Sequence, residues 1–200
     1  MKNLLYIALS FVFFVQPGMA DDKRVAEKIL KDKLESVISV LQTKDLAKET
    51  KKQKIVEILE PIFDFHLMGK LALGRKHWPA LPKEKRATFN ALFVKRFKAF
   101  YLEKMTLYTD ETIEYQEAVE VRKKVHVPAH IISKDKKIAM LYKLYNSKSG
   151  WKIYDIEIEG VSIISSYRSQ FDEILTTGTM DDLLDKLEKP EEPKPSAASQ

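Results

Sequence analysis

The N-terminal half of the chain, from about residue 21 to residue 108, carries apolar side chains at every third or fourth position, which predicts helices. We expect the first helix to run from Asp21 to about Gln42, with Asp22 as its N-cap. A lysine-rich passage leads into a second helix that ends before Pro61. The residues predicted on the buried side of the first helix are Val25, Ile29, Leu34, Val37, Ile38 and Leu41.

Two more helices are predicted before the pattern changes. Asp64 can cap a helix over residues 65–73, and Gly74 can end that helix in a left-handed conformation. The longest helix is expected from Lys83 to about Tyr108. Since a tightly packed core and the wall of a cavity require the same spacing, its aromatic side is compatible with either one. That side consists of Phe89, Leu92, Phe93, Phe97, Phe100, Tyr101 and Met105.

From Thr112 onward the apolar period becomes two, which predicts strands. Four strands are expected, at residues 112–120, 123–132, 137–145 and 151–159, and polar hairpin loops join the last three. Consecutive hairpins form an antiparallel meander. The residues predicted to share a face are Ile138, Met140, Tyr142 and Leu144 in the third strand and Tyr154, Ile156 and Ile158 in the fourth.

Gly160 interrupts the strand pattern, and the apolar period then becomes helical again. We expect the fourth strand to pass directly into this helix, with Ser162 as its N-cap and Gly178 at its end. Thr179 and Asp182 can cap a last short helix. The apolar residues of the first of these two helices are Ile163, Ile164, Tyr167, Phe171, Ile174 and Leu175.

Residues 1–20 have the pattern of a secretory signal peptide. Lys2 precedes a 12-residue apolar run from Leu4 to Val15, and small residues at Gly18 and Ala20 form a cleavage site. A membrane span would need about 20 apolar residues, so this run is too short to be an anchor. We therefore predict that the mature protein is exported.

The exported product is predicted to be a single domain, residues 21–189. It divides into a helical part at about 21–108, a sheet at about 112–159 and C-terminal helices at 161–189. The last residues, 190–200, are rich in Pro, Glu, Ser and Ala and are predicted to be disordered, because such a segment has little apolar surface to bury.

Composition excludes several classes of function. The chain has no cysteine, which rules out disulfide bonds, thiolate metal sites and cysteine nucleophiles. Its 34 Lys and Arg residues outnumber its 29 Asp and Glu residues, for a net charge of +5. This excess suits an anionic surface or an acidic partner, and it is too small to indicate nucleic-acid binding.

The remaining motifs do not form a catalytic or metal site. His126 and His130 lie four residues apart on a predicted strand, about 13 Å from each other, which is too far to share a metal ion. Residues 69–76 spell G-x-x-x-x-G-R-K, without the lysine and hydroxyl of a phosphate-binding loop. Residues 160–162, Gly-Val-Ser, lack the final glycine of a nucleophile elbow. Arg168 fits either a structural hydrogen bond or a phosphate contact. The sequence therefore favours a binding protein over an enzyme.

Two stretches resemble the signatures of a known family. Residues 63–78 contain F-D-F, then L-A-L-G and a tryptophan, and residues 151–171 contain W-K-I-Y-D, then E-G-V-S and Y-R-S-Q-F. In order and spacing, both resemble the MlaC-like, or toluene-tolerance, family of periplasmic phospholipid-binding proteins, over about residues 22–188. His66 and the Lys76-His77 pair before Trp78 are departures from the family pattern.

The resemblance implies an α+β fold in which several helices wrap a curved antiparallel sheet of about four strands, of the NTF2-like kind, and enclose an apolar lipid pocket. It also implies a monomeric carrier, without a cofactor, that transports diacyl phospholipid through the periplasm. The expected partners are an MCE-domain ABC transporter complex in the inner membrane and a lipoprotein complex in the outer membrane. The expected role is to maintain the lipid asymmetry of the outer membrane.

The aromatic side of the long helix and the apolar face of the third strand are the expected wall of this pocket. Three alternatives stay open: a carrier of another apolar ligand, such as a hopanoid or a hydrophobic solvent, on the same fold; an enzyme that uses the pocket; and an adaptor with a fully packed interior. The predicted lipid-contacting residues are Phe93, Phe97, Phe100, Tyr101, Met105, Ile138, Met140, Tyr142, Tyr154, Ile156, Ile164 and Tyr167.

Overall fold

The computed structural model describes residues 18–105, 111–133 and 136–189, and the side chains of residues 22–101, 111–133 and 136–189 within them. The predicted tail and nearly all of the predicted signal peptide lie outside the described residues, so both stay predictions. Among the helices that are described, none is both long and apolar enough to cross a membrane.

The helical part agrees with the sequence pattern except at its ends. Asp22 lies inside the first helix rather than before it, so its prediction as an N-cap is wrong. The helix from Lys83, predicted to be the longest, is described as far as Met105, and its predicted end at Tyr108 lies outside the described residues; as described, its 23 residues are fewer than the 25 of the first helix. A short 3₁₀ turn at Glu60–Ile62 follows the second helix. The α-helices are α1 (Gly18–Gln42), α2 (Lys48–Leu59), α3 (Phe65–His77), α4 (Lys83–Met105), α5 (Ile163–Thr177) and α6 (Met180–Glu188).

The described strands form one antiparallel sheet with more strands than predicted. The strands are β1 (Thr112–Tyr115), β2 (Val119–Val121), β3 (Lys124–Ser133), β4 (Lys136–Ser147), β5 (Gly150–Ile158) and β6 (Val161–Ser162). In spatial order they run β1-β3-β4-β5-β6, and β2 pairs with β3 beyond the end of β1. The additional strands come from a division of the first predicted strand and from a short strand before α5.

Pro128 in β3 explains why the first predicted strand divides into β1 and β2. The connection from the end of β1 to the start of β2 is one residue longer than the stretch of β3 that lies opposite it. Gln116 donates its backbone N–H to Pro128 O at 3.0 Å. Because proline has no backbone N–H, Pro128 cannot donate the second hydrogen bond that normally completes such a pair. The ladder of hydrogen bonds is therefore interrupted at this point.

β5 does not pass directly into α5 as predicted, because β6 lies between them. Glu159 and Gly160 have positive φ angles of 50° and 77°, and they form the two-residue turn that reverses the chain along β5. Ser162, at the end of β6, caps α5 as predicted: its Oγ accepts the backbone N–H of Ser165 at 3.0 Å.

A β-bulge in β5 separates Tyr154 from the apolar face that it was predicted to share. Tyr142 pairs with Ile156. Two residues later in β4, the residue of β5 that lies opposite is three positions away from Ile156 instead of two, so β5 contains one extra residue here. Ile156 therefore keeps the face of Tyr142, whereas Tyr154 lies on the opposite face, where its hydroxyl is 3.3 Å from His126 Nε2. The prediction that Tyr154 and Ile156 share a face is wrong.

α3 and α5 are joined at the point where α3 bends. Gly74 has a non-helical conformation with a φ of 78°, so the first helical segment of α3 ends there as predicted, and a second short segment continues across the kink to His77. Next to the kink, Arg168 of α5 donates from Nε and Nη2 to Leu71 O, at 2.9 and 2.7 Å. Arg168 therefore binds the backbone of α3, which is the structural one of its two predicted roles.

The helices build the core and cover one side of the sheet. α4 packs against α2, α3 and α6, while α1 lies against β3 and α5 lies against β5. Phe93 of α4 is fully buried, and its ring lies 5.3 to 6.1 Å from the rings of Phe89, Phe97 and Tyr167. The first part of the aromatic side of α4 is thus the centre of the core.

Candidate functional site

The side of the sheet that faces the helical core is apolar on β1, β3, β4 and β5, and we call it the inner face; the other side is the outer face. On the short strand β2, the residue on the inner face is Glu120, which pairs with Val125. The apolar residues of the inner face are Ile113 and Tyr115 in β1, Val125, Val127, Ala129 and Ile131 in β3, Ile138, Met140, Tyr142 and Leu144 in β4, and Ile153, Ile156 and Ile158 in β5.

Burial decreases from one end of the inner face to the other. Val127, Leu144 and Ile153 each expose at most 1% of their surface. The side chains on the same face near the β3–β4 hairpin are only half-buried, although they are equally apolar. We call this region the open end; it consists of Ile131, Ile138, Met140 and Ile158.

The aromatic side of α4 shows the same change in burial. Phe93 and Phe97 expose 0% and 5% of their surface, whereas Phe100 and Tyr101, about one turn later, are half-buried. The side chain of Met105 lies outside the described residues. The chain continues from α4 toward β1, which pairs with the end of β3 that carries the open end. In the sequence, the less buried part of α4 is therefore followed by the strand that pairs next to the open end.

A groove lies between α1 and β1, beside the inner face. It encloses about 480 Å³ and has apolar side chains, such as Ile38 and Ile113, next to polar ones, such as Glu35 and Glu111. Ile113 pairs with Ile131, so the groove borders the open end directly. Tyr115 also lines the groove, and its ring lies 5.0 Å from Lys31 Nζ on α1. At this border, the apolar inner face therefore meets a groove that is lined by both apolar and polar side chains.

A charged cluster on the outer face ties β5 to the start of α5. Asp155 is 6% exposed, and its carboxylate accepts hydrogen bonds from Ser162 Oγ at 2.8 Å and from Ile164 N–H at 3.3 Å. Lys143 Nζ lies 3.1 Å from Asp155 Oδ2 and also contacts Glu157. Burial acts to lower the pKa of Lys143, but the hydrogen bonds to Glu157 and Asp155 outweigh it and raise that pKa. The cluster is structural, because its hydrogen bonds fix where α5 begins.

Asp155→Asn is expected to lower the free energy of unfolding by about 1.5 to 3 kcal/mol, because it removes the charge from hydrogen bonds that are shielded from water. Glu157→Gln is the matched control, since it removes the other carboxylate at Lys143, from a side chain that is 24% exposed rather than 8%. The control is expected to cost less than about 1 kcal/mol. Urea unfolding measures both variants. Equal losses would contradict the special role of Asp155.

The histidines lie apart from each other, as their spacing predicts. His66 lies edge-on against Trp78, and His77 is paired with a carboxylate of α5. His126 and His130 both lie on the outer face of β3, and burial lowers the pKa of His126. Within the part of the chain that the structure describes, no group of three His, Asp or Glu side chains is placed to hold a metal ion.

The structure brings most of the predicted pocket residues to the inner side of the sheet and divides them by burial. Tyr154 is the exception, because the bulge puts it on the outer face. Whether the others contact a ligand stays a prediction. The buried ones are Phe93, Phe97, Tyr142, Ile156, Ile164 and Tyr167. The half-buried ones are Phe100, Tyr101, Ile138 and Met140.

Sequence reasoning did not select Ile131, Ile158 or Tyr115, all of which lie at the open end or in the groove. The alternation of apolar residues in the second predicted strand contains the signal for Ile131. Ile158 was placed on the correct face but was not chosen as a pocket residue. Tyr115 had no usable signal, because its surroundings come from α1, which is distant in the sequence and whose position next to β1 is not encoded locally.

Comparisons with known proteins agree with this architecture. The chain matches a model of the family described as MlaC protein over residues 31–189. It is also similar to the solved structure of a phospholipid-binding protein from Ralstonia solanacearum in complex with a phospholipid. The two chains are 21% identical, with a TM-score of 0.70, and the match covers 82% of this chain and 99% of that one. The structural match shows a shared fold, and because the family match spans most of the sequence, this chain belongs to the MlaC family.

Proposed function

We propose that this protein binds a diacyl phospholipid with its acyl chains against the open end of the inner face. The observation that carries the proposal is the change in burial along one continuous apolar face, from complete burial at Leu144 to half-burial at Met140 and Ile138. A core residue is normally covered by its own chain. Apolar side chains that the protein leaves half-covered, in a row, offer a surface to an apolar ligand.

The energy of lipid transfer explains why such a surface is needed. Each acyl CH₂ group that moves from a membrane into water costs about 0.8 kcal/mol, so a sixteen-carbon chain costs on the order of 12 kcal/mol. A carrier has to replace most of this loss with apolar contacts of its own. The apolar inner face can supply such contacts, and α4 carries two further half-buried rings, those of Phe100 and Tyr101.

Family membership supports this choice of ligand. The Ralstonia solanacearum protein has the same fold and was solved with a phospholipid bound. We further propose that this chain acts in the periplasm, as a monomer and without catalytic activity or a cofactor. In this role it transfers phospholipid between an MCE-domain transporter complex of the inner membrane and a lipoprotein complex of the outer membrane. The signal-peptide pattern and the net charge of +5 support export and docking to acidic surfaces.

The proposal is tested by native mass spectrometry, with lipid extraction, on protein purified from the periplasm without detergent. We expect diacyl phospholipid at about one molecule per chain. A co-purified hopanoid or another apolar molecule in its place would identify a carrier of a different ligand. Protein that is empty and does not take up added phospholipid would contradict the proposal, since its apolar face would then be ordinary core.

A further inference from the structure

The groove between α1 and β1 differs from the open end in having polar groups. Ser39 and Glu35 line it from α1, and Glu111 and Thr112 line it from the other side. Glu111 itself is largely buried, and it accepts a hydrogen bond from Ser133 Oγ at 2.7 Å. Since the groove borders the open end, a lipid with its acyl chains on the inner face would have its polar part at or in the groove.

Tyr115 carries the most unusual polar group of this region. Its hydroxyl oxygen is shielded from solvent and has no hydrogen-bond partner within the described part of the chain. The residue lies on the inner face, where it pairs with Ala129, and Ala129 in turn pairs with Met140 of the open end. A buried hydroxyl without a partner is unfavourable and is rare in native proteins. Its presence next to a candidate ligand surface indicates that the partner is a ligand atom.

The protonation of Tyr115 defines what kind of atom can be its partner. Burial, together with the negative charge of Glu35, raises the pKa of Tyr115 to about 12. The hydroxyl therefore keeps its proton at neutral pH and can donate a hydrogen bond. Two carboxyl groups in the groove, those of Glu35 and Glu111, disfavour an anionic acceptor such as a phosphate oxygen. A neutral carbonyl oxygen suits this position best.

We infer that Tyr115 donates a hydrogen bond to an ester carbonyl of the bound phospholipid, and that the groove holds the glycerol-ester part of the lipid. This inference rests on the proposed function and adds a site for the polar part of the ligand. Because the contact is made to the ester and not to the head group, Tyr115 selects acyl esters over alkyl ethers while the head group stays at the surface.

A direct competition between two lipids tests the inference. Delipidated protein is offered an equimolar mixture of dipalmitoyl phosphatidylcholine and its dihexadecyl ether analogue, which has the same head group and chain length but no carbonyl groups. Native mass spectrometry gives the ratio of the two bound lipids. The natural protein is expected to hold about five times more ester than ether lipid, the ratio that one hydrogen bond supplies. Tyr115→Phe is expected to hold the two in about equal amounts.

Tyr154→Phe is the matched control, because it removes a tyrosine hydroxyl from the outer face and is expected to keep the natural ratio.

Without lipid, Tyr115→Phe is expected to raise the melting temperature by about 2 to 4 °C, because it removes a hydroxyl that lacks a partner. Equal ratios in the natural protein and in Tyr115→Phe would overturn the inference and leave the proposed function intact. A lower melting temperature for Tyr115→Phe would also overturn it. If the natural protein takes up neither lipid, the proposed function fails, and the inference fails with it.

Discussion

Phe93→Ala is expected to lower the free energy of unfolding by about 3 to 5 kcal/mol, or the melting temperature by about 10 °C. Phe93 is fully buried, and its ring is in edge-to-face contact with that of Tyr167 at 5.3 Å. It also lies close to Gly69: a Cβ at that glycine would be 3.3 Å from the Phe93 ring. Removal of the ring would leave a cavity between α3, α4 and α5, the helices that this residue joins.

Urea unfolding of lipid-free protein measures the loss, with Phe93→Leu as the control. Leucine keeps most of the apolar volume and is expected to cost less than half as much as alanine. If Phe93 instead lined a ligand cavity, the natural protein would already have empty space at this position, and alanine would cost about 1 kcal/mol or less without lipid. Such a small loss would contradict our assignment of Phe93 to the core.

Met140→Gln is expected to weaken phospholipid binding about tenfold to a hundredfold. Met140 lies at the open end, half-buried, between Ala129 of β3 and Ile158 of β5. Glutamine has a similar size, but an acyl chain over it would cover an amide that has lost its hydrogen bonds to water. That change costs about 1 to 3 kcal/mol, and each 1.4 kcal/mol is a factor of ten in affinity.

Leu141→Gln is the matched control, because Leu141 is the next residue of β4 and is half-buried on the opposite face. It introduces the same amide into the same strand, and we expect it to leave lipid binding unchanged. Lipid titration of the delipidated variants, followed by native mass spectrometry, gives both affinities. Equal losses in the two variants would indicate a general disturbance of the sheet, and no loss in Met140→Gln would remove Met140 from the binding surface.

The sequence predicted those parts of the fold that depend on neighbouring residues. Ser162 and Thr179 were identified as N-caps because a cap is defined by residues three positions apart, and both form those hydrogen bonds. The prediction of which β4 residues share the inner face was correct for the same reason, since strict alternation along the strand decides it. Asp64 likewise caps α3, with its carboxylate accepting the Leu67 N–H at 2.8 Å.

Features that depend on the pairing of distant strands were not predictable in the same way. The bulge at Tyr154 moves one side chain across the sheet, yet residues 151–158 alternate well enough to suggest an unbroken strand. The division of the first strand depends on Pro128, which lies in a different strand. For the candidate site, no sequence pattern separates Phe93 in the core from Met140 at the open end, because both are apolar and regularly spaced.

The short strands at both edges of the sheet have a consequence for self-association. A long free edge can add a strand from another molecule and so begin aggregation, a particular hazard for a protein that leaves apolar surface partly uncovered. Here one edge is split into strands of four and three residues, and β6 at the other edge has two. Beyond β6, Asp64 donates its N–H to Ile153 O at 2.9 Å and covers part of the edge of β5. Within the described residues, neither edge presents the long unpaired backbone on which copies of this chain could polymerise.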